Sequence, residues 1–144
     1  MKKLLLTLSF IIGITTVSLA QSPIDKVSIC KSSKVIYQIN DKHNEHNVSG
    51  EWQDTEVEIV LFWQTGTIII FSNDKQTYNF VEAVIDAKKT TTGELFSIWK
   101  MTDSRGVVCV IHIILDPKDM TNNYLRVNYS DASWEYKFEI LENR

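Results

Sequence analysis

From Lys34 to the C terminus the chain repeats one unit, a short β-branched or aromatic run followed by a tight polar turn. The runs are Lys34–Ile39, Thr55–Trp63, Thr67–Ser72, Gln76–Ile85, Leu95–Thr102, Gly106–Leu115, Tyr124–Ser130 and Trp134–Leu141. Gln64-Thr65-Gly66, Ser72-Asn73-Asp74-Lys75, Asp103-Ser104-Arg105-Gly106 and Ser130-Asp131-Ala132-Ser133 punctuate them, and Asp116-Pro117 stops the sixth run. Runs of this size read as strands, and connections this short join antiparallel neighbours. Helical periodicity is absent from the mature chain, although Asp86–Lys89 has room for one turn. The pattern predicts an all-β domain, an antiparallel up-and-down meander of about eight strands. Such a meander has two edges that invite aggregation. Closing into a small barrel or curled sheet removes them, and sequential hairpins make that the simplest topology. Two packed sheets are the alternative.

Side-chain alternation indicates where the core lies. Trp134, Tyr136, Phe138 and Ile140 share one face of the last run, opposite Glu135, Lys137 and Glu139. That strand should bury one face and wet the other. Gly106–Leu115 is apolar on both faces, Val107-Cys109-Ile111-Ile113 and Val108-Val110-His112-Ile114. It should be central or covered on both sides.

The N terminus reads as an export address. Lys2 and Lys3 precede an apolar run from Leu4 to Ile14, and Ser18-Leu19-Ala20 supplies the small residues of a peptidase site. This predicts a cleaved signal peptide over 1–20 and a single β domain over 21–144. The apolar run is shorter than the ~20 residues of a membrane span, so no transmembrane segment is expected after cleavage. The expected location is periplasmic or secreted. Cys30 lies too far past the cut, behind bulky Ile29, to suit a lipid anchor. Losing Lys2 and Lys3 takes the formal net charge from −3 to about −5, with no basic footprint for nucleic acid. Cys30 and Cys109 are the two cysteines. In an oxidising compartment they are expected to pair, closing a long loop worth ~3–5 kcal/mol.

Few residues suggest chemistry. His43 and His46 stand three apart beside Asp41 and Glu45, but a polar loop does not fix metal geometry, and no metal is expected there. His112 sits among aliphatics and reads as a wall residue. A Gly-x-Ser-x-Gly elbow, a Walker loop and HExxH are all absent, and five glycines are too few to cradle phosphate. No cofactor is expected. Trp52, Trp63 and Trp99 do not all fall in clean alternating patterns and are the candidate binding surface.

One set of stretches resembles a known group. It comprises Ile68-Ile69-Ile70-Phe71-Ser72 with Gln76-Thr77-Tyr78, Gly106-Val107-Val108-Cys109, and Val127-Asn128-Tyr129-Ser130-Asp131 leading to Trp134-Glu135-Tyr136. These are similar to short exported β-meander proteins of Gram-negative bacteria. The resemblance implies a secreted β protein and carries no function across. The Cys30 strand also resembles periplasmic lysozyme inhibitors, which are small exported β-barrels carrying a Ser-Gly-x-x-Tyr segment. Thr92-Gly93-Glu94-Leu95-Phe96 lacks that Ser and Tyr, so no inhibitory residue is carried over. The reading is a non-catalytic exported binding or interaction protein whose partner is a protein or a small apolar ligand. The alternatives are a secreted enzyme, such as a hydrolase, and an accessory component of the cell envelope.

Overall fold

The computed structural model describes residues 26–39 and 48–144. The expected signal peptide and cleavage site and the His43–His46 segment lie outside the described residues. The strands are β1 (Val27–Ile39), β2 (Val48–Ser49), β3 (Gln53–Phe62), β4 (Thr67–Phe71), β5 (Gln76–Lys89), β6 (Leu95–Asp103), β7 (Val108–Leu115), β8 (Asn123–Asn128) and β9 (Ala132–Asn143). Each from β3 onward pairs antiparallel with the next, and β1 pairs with both β3 and β9. Eight strands therefore close into an up-and-down barrel, and β2 only extends the far end of β1. No helix among the described residues is long and apolar enough to cross a membrane.

Closure depends on a strand that is only half visible in the sequence. β1 begins at Val27, seven residues before the apolar run at Lys34. Its inward positions there are Ser28, Cys30 and Ser32, all buried. Two serines break the apolar alternation, yet each has a structural role. Ser32 Oγ lies 3.1 Å from the carbonyls of both Lys34 and Lys137, at the bulge where the β1 register shifts. Ser28 Oγ donates to Asn143 Oδ1 at 2.6 Å. Buried hydroxyls with partners avoid the desolvation cost of orphaned ones.

The barrel interior is a packed core. Cys30, Ile59, Leu61, Ile68, Ile70, Tyr78, Met101, Cys109, Ile111, Ile113, Leu125, Val127, Tyr136 and Phe138 form one buried cluster. They come from every barrel strand, which suits an eight-stranded barrel just wide enough for side chains to fill. Trp134 and Ile140 pack against the cluster, so the inward face of β9 follows the alternation of its sequence.

Two expectations are corrected. Cys30 and Cys109 are both buried, but no disulfide joins them. Cys30 is on β1 and Cys109 on β7, with β8 and β9 between them along the shorter wall. Three strand spacings of about 4.8 Å exceed the ~7 Å Cα separation that a disulfide tolerates. β7 is central, as its two apolar faces suggested, with β6 on one side and β8 on the other. Cys109, Ile111 and Ile113 point inward, whereas Val108 is 52% exposed on the outside. A closed barrel gives a strand two neighbours without covering its outer face. The second correction is that Asp86–Lys89 continues β5 instead of forming a helical turn.

Candidate binding site at one end of the barrel

Aromatic rings close both ends of the barrel. At the end holding Val27 and Asn143, Trp63 and Trp99 meet edge-on with centroids 6.1 Å apart, and Phe80 packs on Trp99 at 5.5 Å. Trp63 Nε1 donates to Ser28 Oγ at 2.7 Å. Gly66, in the β3–β4 turn at φ 66°, makes room for Phe80. A Cβ there would stand 2.5 Å from Phe80 Cβ. Two of the three tryptophans singled out from the sequence therefore come together as an end plug. Trp52 is elsewhere, 41% exposed, with its ring 6.4 Å from Tyr124. It lines a small outer hollow of about 170 Å³ with Ile36, Gln38, Arg126, Ser133 and Glu135.

The opposite end combines aromatic and polar groups. Tyr37, Trp134 and Tyr129 stack in series, at 6.3 Å and 5.3 Å between centroids. Beside them opens a hollow of about 300 Å³, reached by Gln76, Tyr78, Asp103, Arg105, Tyr129 and Trp134 among others. Asp103 is its polar centre and only 8% exposed. It ends β6 on the same face as Met101, so its parity aims it inward. Asp103 Oδ1 accepts from the Arg105 and Val107 amides, both at 2.9 Å. Its Oδ2 accepts from Arg105 Nη2 at 2.8 Å and from the Tyr129 hydroxyl at 2.9 Å. The Tyr78 hydroxyl donates to Gln76 Oε1 at 2.8 Å, and the Gln76 amide donates to Ser72 Oγ at 3.3 Å. The indole N–H of Trp134 is sealed from solvent and has no partner among the described residues.

The charge states at this end are well separated. Burial works against ionisation of Asp103, but the hydrogen bonds from Arg105, Val107 and Tyr129 outweigh it and hold the carboxyl down at about 2. Burial, then the hydrogen bond to Asp103, pushes Tyr129 up to about 12. Burial, then the neighbouring Tyr129, raises Tyr78 further still. Burial, then the Asp103 charge, pushes Cys109 up to about 11. General acid–base catalysis is most efficient with a group poised near the working pH. Here the carboxylate stays ionised and the hydroxyls and thiol stay protonated across neutrality.

This arrangement makes stability pH-dependent in one window. The unfolded chain takes up the Asp103 proton near its ordinary 3.8, the folded chain only near 2. Between those values the unfolded state binds more protons, so this contribution is present above about pH 4 and is lost as pH falls. Asp103→Asn is expected to flatten the acid limb of the melting-temperature profile in that window, and matched melts of the two proteins from pH 2 to 6 would check it.

His112 lies on the outer face of β7, with its ring 6.0 Å from Phe96, away from this hollow. Burial, then the adjacent Arg126, lowers its pKa. Among the described residues no group of three or more His, Cys, Asp or Glu is placed to hold a metal. Sequence reasoning read Asp103 and Arg105 only as a turn. The turn was the right signal, since Asp at its first position and Gly106 at φ 80° are what such a turn favours. The inward parity of Asp103 with Met101, and of Tyr129 with Val127, would have extended it to a site. Comparison with protein-family models, curated proteins and solved structures finds no match to this chain.

Proposed function

We propose that this chain is an exported, non-catalytic binding protein that uses the Trp134–Tyr129–Arg105 end of its barrel. The observation that carries the reading is the exposed guanidinium held by Asp103 in the same hollow as the Tyr129 and Trp134 rings. The Arg105 side chain is 74% exposed, yet Asp103 holds it through both Nε and Nη2, leaving the outer edge of the fork for a second acceptor. A pre-oriented Arg beside stacked Tyr and Trp rings is the composition of binding hot spots. The filled core favours contact at this surface over an apolar ligand held inside the barrel. The fitting partner is a protein segment that presents a carboxylate.

The test is capture from native cell envelope, with mass spectrometry of what stays bound. Wild type and Arg105→Gln serve as baits after their melting temperatures are compared. A specific partner held by wild type and retained at least ~10-fold less by Arg105→Gln is expected, the scale of one lost charge-assisted contact. A partner held equally by both, or no partner for either, overturns the reading.

A further inference from the structure

Among the described residues the barrel wall has a gap beside β5. β4 pairs with β5 only from Ile68↔Tyr78 to Ile70↔Gln76. β5 then runs on to Lys89, alongside β6 as far as Leu95. From Asn79 to Lys89 the other edge of β5 has no partner strand among the described residues. Such an edge is a template for another strand. It is also apolar in places, with Phe80, Val81 and Val84 exposed, Val84 at 57%.

The charge order along this edge favours one occupant. In the pairing with β6, Glu82 stands opposite Lys100, Ile85 opposite Ile98, and Lys88 opposite Phe96. Lys100, Ile98 and Phe96 alternate with the buried Met101 side of β6, so Glu82, Ile85 and Lys88 share the outer face. Glu82 and Lys88 are equidistant from Ile85. Three register shifts interrupt the pairing with β6, between Phe80 and Glu82, between Ala83 and Ile85, and between Ile85 and Lys88, so the symmetry about Ile85 lies in the charge order alone. Antiparallel pairing of two such strands about Ile85 sets Glu82 of each copy opposite Lys88 of the other.

We infer that the β5 edge is a self-association surface, joining two copies of this chain in a two-fold β5–β5 pair. One dimer contains two Glu82–Lys88 contacts and an Ile85–Ile85 contact on the axis. A two-fold interface must be self-complementary, and this charge order is. The Glu82–Lys100 ion pair at 3.1 Å within each barrel would be joined by the second copy's Lys88.

Sedimentation equilibrium of the purified protein tests this with two variants on the exposed strand, Lys88→Glu and Glu82→Lys. Wild type should show a monomer–dimer equilibrium. Each variant alone sets like charges opposite each other twice and should dimerise at least ~10-fold more weakly, as expected for two exposed pairs reversed in sign. Mixed together the two variants regain two opposite-charge contacts and should form a mixed dimer of near wild-type affinity. Circular dichroism confirms that each variant is folded. A wild type that stays monomeric at every concentration means that the bulges and lysines only guard the edge, and overturns the inference. So does a dimer that neither variant weakens, since it would form elsewhere.

Discussion

Phe138→Ala should remove about 3–5 kcal/mol of stability, the usual range for a buried phenylalanine. Phe138 is fully buried in β9. It pairs across the wall with Ser32 of β1 and Asn123 of β8. Its side chain belongs to the buried cluster inside the barrel, so removing the ring leaves a hole among packed core side chains. Small domains have only ~5–15 kcal/mol in total, so the loss should appear as a large drop in denaturant midpoint. Glu139→Ala, one residue on and facing outward, should stay within ~0.5 kcal/mol. Equal effects at the two positions would mean that the inward register of β9 is wrong.

The thiols give the second large effect. Burial pushes Cys30 up to about 12, and burial followed by the Asp103 charge pushes Cys109 up to about 11. An unperturbed thiol near 8.5 is about one-quarter ionised at pH 8, and the thiolate is the reactive form. Both native thiols should therefore alkylate at least ~100-fold more slowly than the same residues in denaturant. Two thiols per chain should label once it unfolds, without any reductant. A chain yielding none until it is reduced would show that the two cysteines pair.

These two experiments probe different levels of legibility. The inward position of Phe138 was readable because Trp134, Tyr136, Phe138 and Ile140 alternate with charged residues, and a period of two leaves a strand one way to face the core. The cysteines were not readable in the same way. Their count and the expectation of export argued for a bridge, but pairing depends on how many strands separate β1 from β7, and no local pattern carries that distance. Similarly, Ser28 and Ser32 hid half of β1. A small polar side chain is as acceptable inside a barrel as an aliphatic one once it has partners, and those partners, Asn143 and the Lys137 carbonyl, lie more than a hundred residues away. The candidate site was half visible. The Asp103–Gly106 turn could be read locally, whereas the approach of Tyr129 to Asp103 and the stacking of Tyr37 on Trp134 needed closure.

The sequence alone determined the strand-and-turn rhythm, the antiparallel meander and the inward face of β9, because backbone alternation and turn chemistry act over a few residues. The tertiary structure decided the closure of β1 on β9, the separation of the cysteines, the pairing of Trp63 with Trp99 and the gap beside β5. Each of these depends on how far and at what stagger the strands run past one another, and that is set only when the whole wall is hydrogen-bonded into a ring.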